Sequence, residues 1–85
     1  MYKVLLVDDE YMITEGLKKL IPFEKWDMEV VYTAEDADQA LAYVADYPVD
    51  IVITDVNMPG KTGLEMIDQM QSMLPHAAYI IMSGY

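Results

Sequence analysis

The chain has 85 residues, 54% of them hydrophobic and 24% charged, which is enough apolar side chain for one small core and too much for a disordered segment. Its 15 acidic and 5 basic residues give a formal net charge of −10, which disfavours direct binding to nucleic acid or to anionic membranes. The absence of cysteine excludes disulfide bonds, and Asp8 interrupts the apolar start before a secretory signal could form. We expect one soluble, cytoplasmic domain over residues 1–85 and no second domain.

The first half of the chain predicts two strands and two helices. Lys3–Val7 is a continuous apolar run, typical of a strand covered on both faces of a parallel sheet, and Glu29–Thr33 predicts a second strand. One helix is predicted between these strands and another after them, because apolar residues recur there at the spacing of a single helix face. The inward residues are Ile13, Leu17, Leu20 and Ile21 in the first helix, and Ala37, Ala40, Leu41 and Val44 in the second.

The second half continues the alternation. Ile51–Thr54 is again a continuous apolar run, and Ala78–Ser83 predicts a fourth strand. A third helix is predicted from about Gly63 to Leu74, closed by Pro75. Its inward residues are Leu64, Ile67, Met70 and Leu74. The order β-α-β-α-β-α-β indicates right-handed crossovers and an α/β fold in which helices cover both faces of a parallel sheet.

Carboxylates follow two of the predicted strands. Asp8 and Asp9 come after the first strand, and Asp55 comes after the third. Because the carboxyl ends of parallel strands meet at one edge of a sheet, we expect the three side chains to lie together. Three like charges repel one another, and a divalent cation with oxygen ligands, most naturally Mg²⁺, would offset this repulsion. The structural alternative is that these residues are solvated strand ends that cap helices and form turns.

Over all 85 residues the chain resembles the receiver domains of bacterial two-component response regulators. Val7–Glu10 (VDDE) resembles the family's acidic pair, and Asp55–Gly60 (DVNMPG) with Gly63 resembles its phospho-acceptor loop. Ser83, at the end of the fourth predicted strand, matches the family's switch hydroxyl. The resemblance implies a doubly wound, flavodoxin-like (CheY-like) receiver fold.

The resemblance also implies a role for each matching residue. Asp9 would bind Mg²⁺ directly, Asp8 would act through metal-bound water, and the main-chain carbonyl of Asn57 would supply a further ligand. Asp55 would be both a metal ligand and the nucleophile that takes a phosphoryl group from a sensor histidine kinase. Ser83 would hydrogen-bond the phosphoryl group. The chain would then serve phosphorelay signal transduction as a phospho-acceptor and would not be a turnover enzyme.

The end of the chain carries two further expectations. Ile53–Asp55 and Ile80–Tyr85 resemble regulators with a C-terminal AraC-type helix-turn-helix domain, which implies regulation of transcription through DNA binding elsewhere in the protein. The family's pattern continues with a helix, a fifth strand ending in an essential lysine, and a final helix, none of which matches these 85 residues. We therefore expect a C-terminally truncated receiver that accepts phosphate slowly or not at all. We also expect self-association or strand exchange through the apolar edge at Ala78–Ser83.

Three other interpretations were weighed. A phosphatase of the haloacid-dehalogenase type also forms an aspartyl phosphate, but its second aspartate would stand where Asn57 is found. An EF-hand loop would fit Asp55, Asn57 and Gly60, but Pro59 and Met66 occupy positions that need ligands. A receiver-like binding module that is not phosphorylated stays open.

Several conspicuous side chains are given structural interpretations. We expect Lys61 to be a solvated basic residue and His76 to lie in a surface loop without a ligand role. Trp26 is expected to pack against the connection between the first helix and the second strand. The methionines of the third helix are expected in the core or at its margin, and these are Met66, Met70 and Met73.

Overall fold

Strands and helices alternate along residues 1–82, which are the residues that the computed structural model describes. In this part of the chain there are four strands and three α-helices. They are β1 (Tyr2–Val7), α1 (Tyr11–Leu20), β2 (Met28–Ala34), α2 (Ala37–Asp46), β3 (Ile51–Asp55), α3 (Gly63–Met73) and β4 (Ala78–Met82). One turn of 3₁₀ helix, Phe23–Trp26, connects α1 to β2. Each predicted element is present and of the predicted type.

The strands form one sheet in the order β2-β1-β3-β4, and each neighbouring pair is parallel. β1 lies between β2 and β3, so that Val7 is aligned with Ala34 on one side and with Thr54 on the other. This arrangement confirms the predicted parallel α/β sheet. Because all four strands run the same way, the residues that follow β1 and β3 are brought to the same edge of the sheet.

Two apolar clusters lie on opposite faces of the sheet. On one face Leu5, Val7 and Val52 are buried together with residues of α2 and α3. On the other face Val4 and Leu6 are buried together with residues of α1 and of the 3₁₀ turn. Covering on both faces explains why β1 and β3 read as continuous apolar runs instead of alternating ones.

Helix α1 is turned differently from the prediction. The residues that face the sheet are Thr14, which is buried, and Leu17 and Ile21, which pack against the second cluster. Ile13 is exposed, and Leu20 is 81% exposed, so their placement in the core was wrong. The face of α1 that packs on the sheet is centred about one residue further along the helix than the apolar spacing suggested. The buried Thr14 hydroxyl is satisfied within the helix, because it donates to the Tyr11 carbonyl over 3.0 Å.

Helices α2 and α3 pack on the first cluster. The predicted stripe of α2 is confirmed, with Ala37, Ala40 and Val44 buried. In α3, Ile67 and Met70 are buried as predicted, but Leu64 is 57% exposed and Met66 is fully buried in its place. Leu64 and Met66 are two residues apart and so lie on different sides of the helix, which means that only one of them can face the core.

The remaining structural interpretations have mixed outcomes. Trp26 is exposed, and Phe23 of the same 3₁₀ turn is the buried aromatic residue, so the packing role given to Trp26 was wrong. Met73 is exposed, at the end of α3. His76 is exposed in the loop before β4, as expected. No helix within residues 1–82 is long and apolar enough to cross a membrane.

The burial of Met70 makes a testable statement about the core. Met70 is fully buried on the side of α3 that faces the core, so Met70→Ala should lower the free energy of unfolding by about 2–5 kcal/mol through lost contacts and a residual cavity. Met73→Ala, in the same helix but exposed, should cost no more than about 0.5 kcal/mol. Urea denaturation followed by far-ultraviolet circular dichroism would measure both, and equal losses would contradict the packing described here.

Candidate functional site

Three carboxylates converge beyond the carboxyl ends of β1 and β3. Asp8, Asp9 and Asp55 each offer an oxygen atom, and these atoms lie within 4.8 Å of one another. The convergence results from the pairing of the two strands, which sets Val7 beside Thr54. The structure thus brings together the three acidic side chains that the sequence singled out. We call Asp8, Asp9 and Asp55 the acidic cluster.

The three members of the acidic cluster differ in their exposure to solvent. Asp8 is only 5% exposed, Asp55 is half-buried, and Asp9 is exposed. Burial raises the pKa of Asp8 above its ordinary value, and the charges of Asp55 and Asp9 add to the increase. One hydrogen bond opposes them, because the Glu10 amide donates to Asp8 Oδ1 over 2.9 Å. The ionised cluster is therefore costly without a countercharge.

This donor set fits a magnesium ion. It consists of a few hard carboxylate oxygens, two of them in accessible side chains that leave room for water ligands, which is the kind of site that Mg²⁺ prefers. Burial first, and the charges of Asp55 and Asp9 after it, raise the pKa of Asp8, and a divalent cation would offset both effects by stabilising the ionised carboxylate. Asp8, Asp9 and Asp55 are the residues that could hold the ion.

Residues next to Asp55 fix the end of β3. The Thr54 side chain is fully buried, and its hydroxyl donates to the main-chain carbonyl of Asp55 over 2.9 Å. The Asn57 amide points at Asp55 Oδ1 across a longer distance of 3.4 Å. Together these contacts restrain both the backbone and the carboxylate of Asp55. The role of Thr54 was not predicted, because it depends on burial that a single sequence does not reveal.

Gly63 allows α3 to begin directly against the end of β3. A Cβ atom at this position would overlap the main-chain oxygen of Asp55 and would lie 3.2 Å from the Val56 Cα. The Gly63 amide donates to the Val56 carbonyl over 3.0 Å, which closes the loop between β3 and α3 at its base. Any larger residue at position 63 would have to displace the backbone that carries Asp55.

The loop of residues 56–62 has further attachments. Met58 is buried in the first apolar cluster. Thr62 and Glu65 form a reciprocal capping box at the start of α3, with Glu65 N–H donating to Thr62 Oγ1 (3.2 Å) and Thr62 N–H donating to Glu65 Oε1 (3.0 Å). The hydrogen bond from the Thr62 amide to the Glu65 carboxylate lowers the pKa of Glu65, and the Thr62 hydroxyl and the charge of Lys61 add to this effect. The T-x-x-E spacing is a known helix-start signal that the sequence analysis did not use.

Lys61 has polar partners that the sequence did not indicate. Its side chain is 30% exposed, its ammonium group donates to Gln69 Oε1 over 2.6 Å, and it lies 3.9 Å from Asp38 Oδ1. Lys61 is thus partly solvated, and it also has two polar partners. The partners lie on α3 and α2, and no local pattern in the sequence connects them to Lys61.

Two predicted site residues stay predictions. Asn57 is exposed beside Asp55, and a ligand role for its main-chain carbonyl is neither supported nor opposed by its contacts. Ser83 lies outside the residues that the structure describes.

A cavity of about 490 Å³ lies at the other edge of the sheet, where β1 and β2 begin. Its floor is apolar, and its rim mixes charges of both signs. The lining residues include Ile21, Phe23, Met28, Lys18, Lys19, Lys25, Glu24 and Glu29. None of its lining residues belongs to the acidic cluster, which lies at the carboxyl ends of β1 and β3.

A family model described as the response regulator receiver domain matches residues 4–85. The chain belongs to this family. The resemblance inferred from the acidic pair and the acceptor loop is thereby confirmed, and so is the flavodoxin-like (CheY-like) receiver fold. The acidic cluster of this receiver lies at the edge of the sheet where ligands of doubly wound folds bind.

The curated relatives of this receiver are response regulators. An uncharacterized response regulatory protein of Staphylococcus epidermidis is 39% identical over 85 residues, and the transcriptional regulatory protein HptR of Staphylococcus aureus is 36% identical over the same length. In both cases the match covers 100% of this chain and 33% of the relative. The receiver thus spans about a third of the length of the curated relatives it matches.

Two solved structures are similar over nearly the whole receiver. The crystal structure of a two-component transcriptional regulator AraC from Clostridium phytofermentans gives a TM-score of 0.93 at 30% identity, covering 100% of this chain and 68% of that one. The receiver domain of AraT, a response regulator from Geobacillus stearothermophilus, gives 0.92 at 37% identity, covering 99% and 65%.

The burial of Asp8 predicts that Asp8→Asn stabilises the metal-free protein at neutral pH. Because the folded-state pKa of Asp8 is raised, the folded protein holds the Asp8 proton more tightly than the unfolded chain does. The ionised side chain therefore destabilises the fold as the pH rises through that raised pKa. Asp8→Asn should raise the free energy of unfolding of the metal-free protein at neutral pH, and the gain should vanish below the ordinary aspartate pKa of about 3.9.

The same variant should respond less to magnesium. Wild-type protein should gain stability as Mg²⁺ is added, whereas Asp8→Asn should gain less, because the cluster has lost one charge. Urea midpoints with and without Mg²⁺, at neutral and acidic pH, measure both effects. A destabilised Asp8→Asn protein in metal-free neutral buffer would overturn this account of Asp8.

Proposed function

We propose that this receiver accepts a phosphoryl group on Asp55 from the phosphohistidine of a sensor histidine kinase, in a reaction that depends on Mg²⁺. The observation that carries the proposal is the convergence of Asp8, Asp9 and Asp55, whose oxygen atoms lie within 4.8 Å of one another. Family membership supports it, because receivers are the phospho-acceptor modules of two-component systems.

Asp55 is the proposed nucleophile. A carboxylate oxygen of Asp55 forms a bond to phosphorus while the bond from phosphorus to the histidine nitrogen breaks, and that nitrogen keeps the electron pair and then takes a proton. The hydroxyl of Thr54 and the Asn57 amide hold Asp55 at the strand end, so that its orientation is set before the donor arrives. Catalysis by this chain would be chiefly positioning.

The neighbouring residues divide the work of holding the cation. Exposed Asp9 is proposed as a direct ligand, and buried Asp8, already engaged with the Glu10 amide, as one that acts through metal-bound water. The main-chain carbonyl of Asn57 is proposed as a further ligand. When bound, Mg²⁺ would neutralise charge on the phosphoryl oxygens and on the cluster. Ser83 is proposed to hydrogen-bond the phosphoryl group.

The proposed output is the regulation of transcription in the cytoplasm. The chain spans 33% of relatives that include the transcriptional regulatory protein HptR, and a similar solved structure is a two-component transcriptional regulator AraC. We propose that phosphorylation of Asp55 switches an AraC-type DNA-binding domain elsewhere in the same protein. Direct DNA contact by this segment is disfavoured by its net charge of −10. Phosphorylation would act as a switch, without enzymatic turnover.

Intact mass spectrometry after incubation with acetyl phosphate and Mg²⁺ tests the acceptor. We expect the mass increase of one phosphoryl group, to partial stoichiometry, and its loss when Mg²⁺ is chelated. Asp55→Asn should abolish the increase. Asp68→Asn, an exposed position on α3, is the matched control and should behave as wild type. Modification that survives in Asp55→Asn would refute the site.

The same experiment separates the second candidate, a receiver-like binding module that is never phosphorylated. That module would fail to be modified under every condition, although its acidic cluster could still bind the cation. Absence of modification together with Mg²⁺-dependent stabilisation would favour the binding module. Asp55 is only half-buried and its neighbour Asp9 is exposed, which supports access for a phosphoryl donor and therefore favours the phospho-acceptor.

We also propose self-association through β4. Ile80 and Ile81 are exposed along this strand, although the neighbouring strand β3 is largely buried. Apolar residues on an accessible strand favour pairing with a second copy or strand exchange.

Light scattering coupled to size-exclusion chromatography measures this association directly. The measured mass of the wild-type protein should exceed the monomer mass of 9.7 kDa, and the mass of Ile80→Lys should be closer to that of the monomer. Leu20→Lys, an equally drastic change at an exposed site on α1, is the control and should leave the mass unchanged. A monodisperse wild-type monomer would contradict the proposal.

A further inference from the structure

We infer that Lys61 is a positioning residue for the acidic cluster, which it serves by tying the loop of residues 56–62 to α3 through Gln69. The inference rests on the proposed cation site, because its consequence is the affinity of that site for Mg²⁺. The polar partners of Lys61 are Gln69 and Asp38, and neither belongs to the acidic cluster. Lys61 acts through the loop that follows Asp55 and carries Asn57.

The contacts of Lys61 are unequal. Its ammonium group donates to Gln69 Oε1 over 2.6 Å, a short and charge-assisted hydrogen bond. The ion pair with Asp38 is longer, at 3.9 Å, and the Asp38 side chain is 89% exposed, so solvent screens it strongly. The bond to Gln69 is therefore the attachment that matters, and Asp38 adds little.

The loop needs a restraint at this point. Its base is fixed where the Gly63 amide meets the Val56 carbonyl, and Met58 is anchored in the core. Between these points Gly60 adopts a left-handed conformation (φ +79°), and a Cβ atom built on it would have nothing within 4 Å. Glycine has the greatest backbone freedom of any residue, and the space where a side chain would begin is open here. Lys61 follows directly and, together with the capping box at Thr62, restrains this part of the loop.

A restraint on this loop reaches the acidic cluster through the backbone. The Asn57 amide is aimed at Asp55 Oδ1 over 3.4 Å, a distance at which small movements of the loop decide whether the hydrogen bond forms. Asn57 also carries the main-chain carbonyl proposed as a ligand. An ordered loop keeps both groups beside the cluster before the cation binds, which lowers the conformational cost of binding.

A purely electrostatic role for Lys61 makes a different prediction. A lysine charge near a carboxylate cluster could act at a distance, whatever its side chain is bonded to. Replacing neutral Gln69 removes the tether but leaves the charge of Lys61 in place. Gln69→Ala therefore distinguishes the two roles, and alanine at this exposed helical position does not weaken α3.

The test is a Mg²⁺ titration followed by amide chemical shifts, on wild type, Lys61→Met and Gln69→Ala. Both variants should bind Mg²⁺ roughly 2- to 10-fold more weakly, the range expected for the loss of one such hydrogen bond. Lys19→Met, which removes the same charge from an exposed site on α1, should match wild type. Gln69→Glu keeps an acceptor for Lys61 and should restore most of the affinity. The unfolding midpoints of Lys61→Met and Gln69→Ala should fall slightly and by similar amounts, because the hydrogen bond is also lost from the folded metal-free protein. A merely structural role would lower the midpoint and leave the affinity for Mg²⁺ unchanged.

Hydrogen exchange of the metal-free protein provides a readout that does not need the cation. The amides of Asn57, Thr62 and Gly63 should exchange faster in Lys61→Met and Gln69→Ala, while those of β1 stay unchanged. Wild-type binding of Mg²⁺ with an unaltered affinity in Gln69→Ala would overturn the inference and leave the proposed function standing. Absence of Mg²⁺ binding in wild type would overturn the proposed cation site, and unchanged exchange in the loop would then also dismiss the tether.

Discussion

The parallel pairing of β1 with β3 is the constraint on which the rest of this molecule depends. It aligns Val7 with Thr54, and the residues that follow each strand therefore meet at one edge of the sheet. Asp8, Asp9 and Asp55 come together for this reason, although 45 or more positions separate the first two from the third in the printed sequence. The pairing is stabilised by apolar side chains on both faces, so the core of the domain and its charged site are products of the same strand alignment.

The site works against the stability of the fold that holds it. Asp8 is almost fully buried beside two other carboxylates, and its raised pKa records the cost of keeping it ionised there. Natural domains commonly carry such destabilising groups where ligands bind. Here the cost is local, because the buried residues beneath the cluster are apolar or, like Thr54, satisfied by a hydrogen bond to a neighbour. A bound cation would convert the repulsion into binding affinity.

The loop after Asp55 depends on α3 more than on its own sequence. Gly63 lets the helix start against the strand end, and the capping box of Thr62 and Glu65 fixes where it starts. Lys61 then reaches along the helix to Gln69. Functional loops are commonly mobile segments on rigid scaffolds, and this loop is attached to its scaffold at several points. The geometry proposed for phosphoryl acceptance therefore depends on residues that would not themselves touch the phosphoryl group.

The sequence by itself determined the elements, their order, the parallel sheet and the candidate carboxylates. These features depend on local patterns, namely continuous apolar runs and the residues that follow them, which can be read without knowing the tertiary contacts. It did not determine which way a helix is turned. The apolar spacing of α1 allowed a face centred near Ile13 and Leu20, and only packing against the sheet selected the face that buries Thr14. It also could not connect Lys61 with Gln69, since the length and flexibility of a lysine side chain allow many partners. Such choices are decided by the tertiary structure, where contacts between separate elements exclude the alternatives that local patterns leave open.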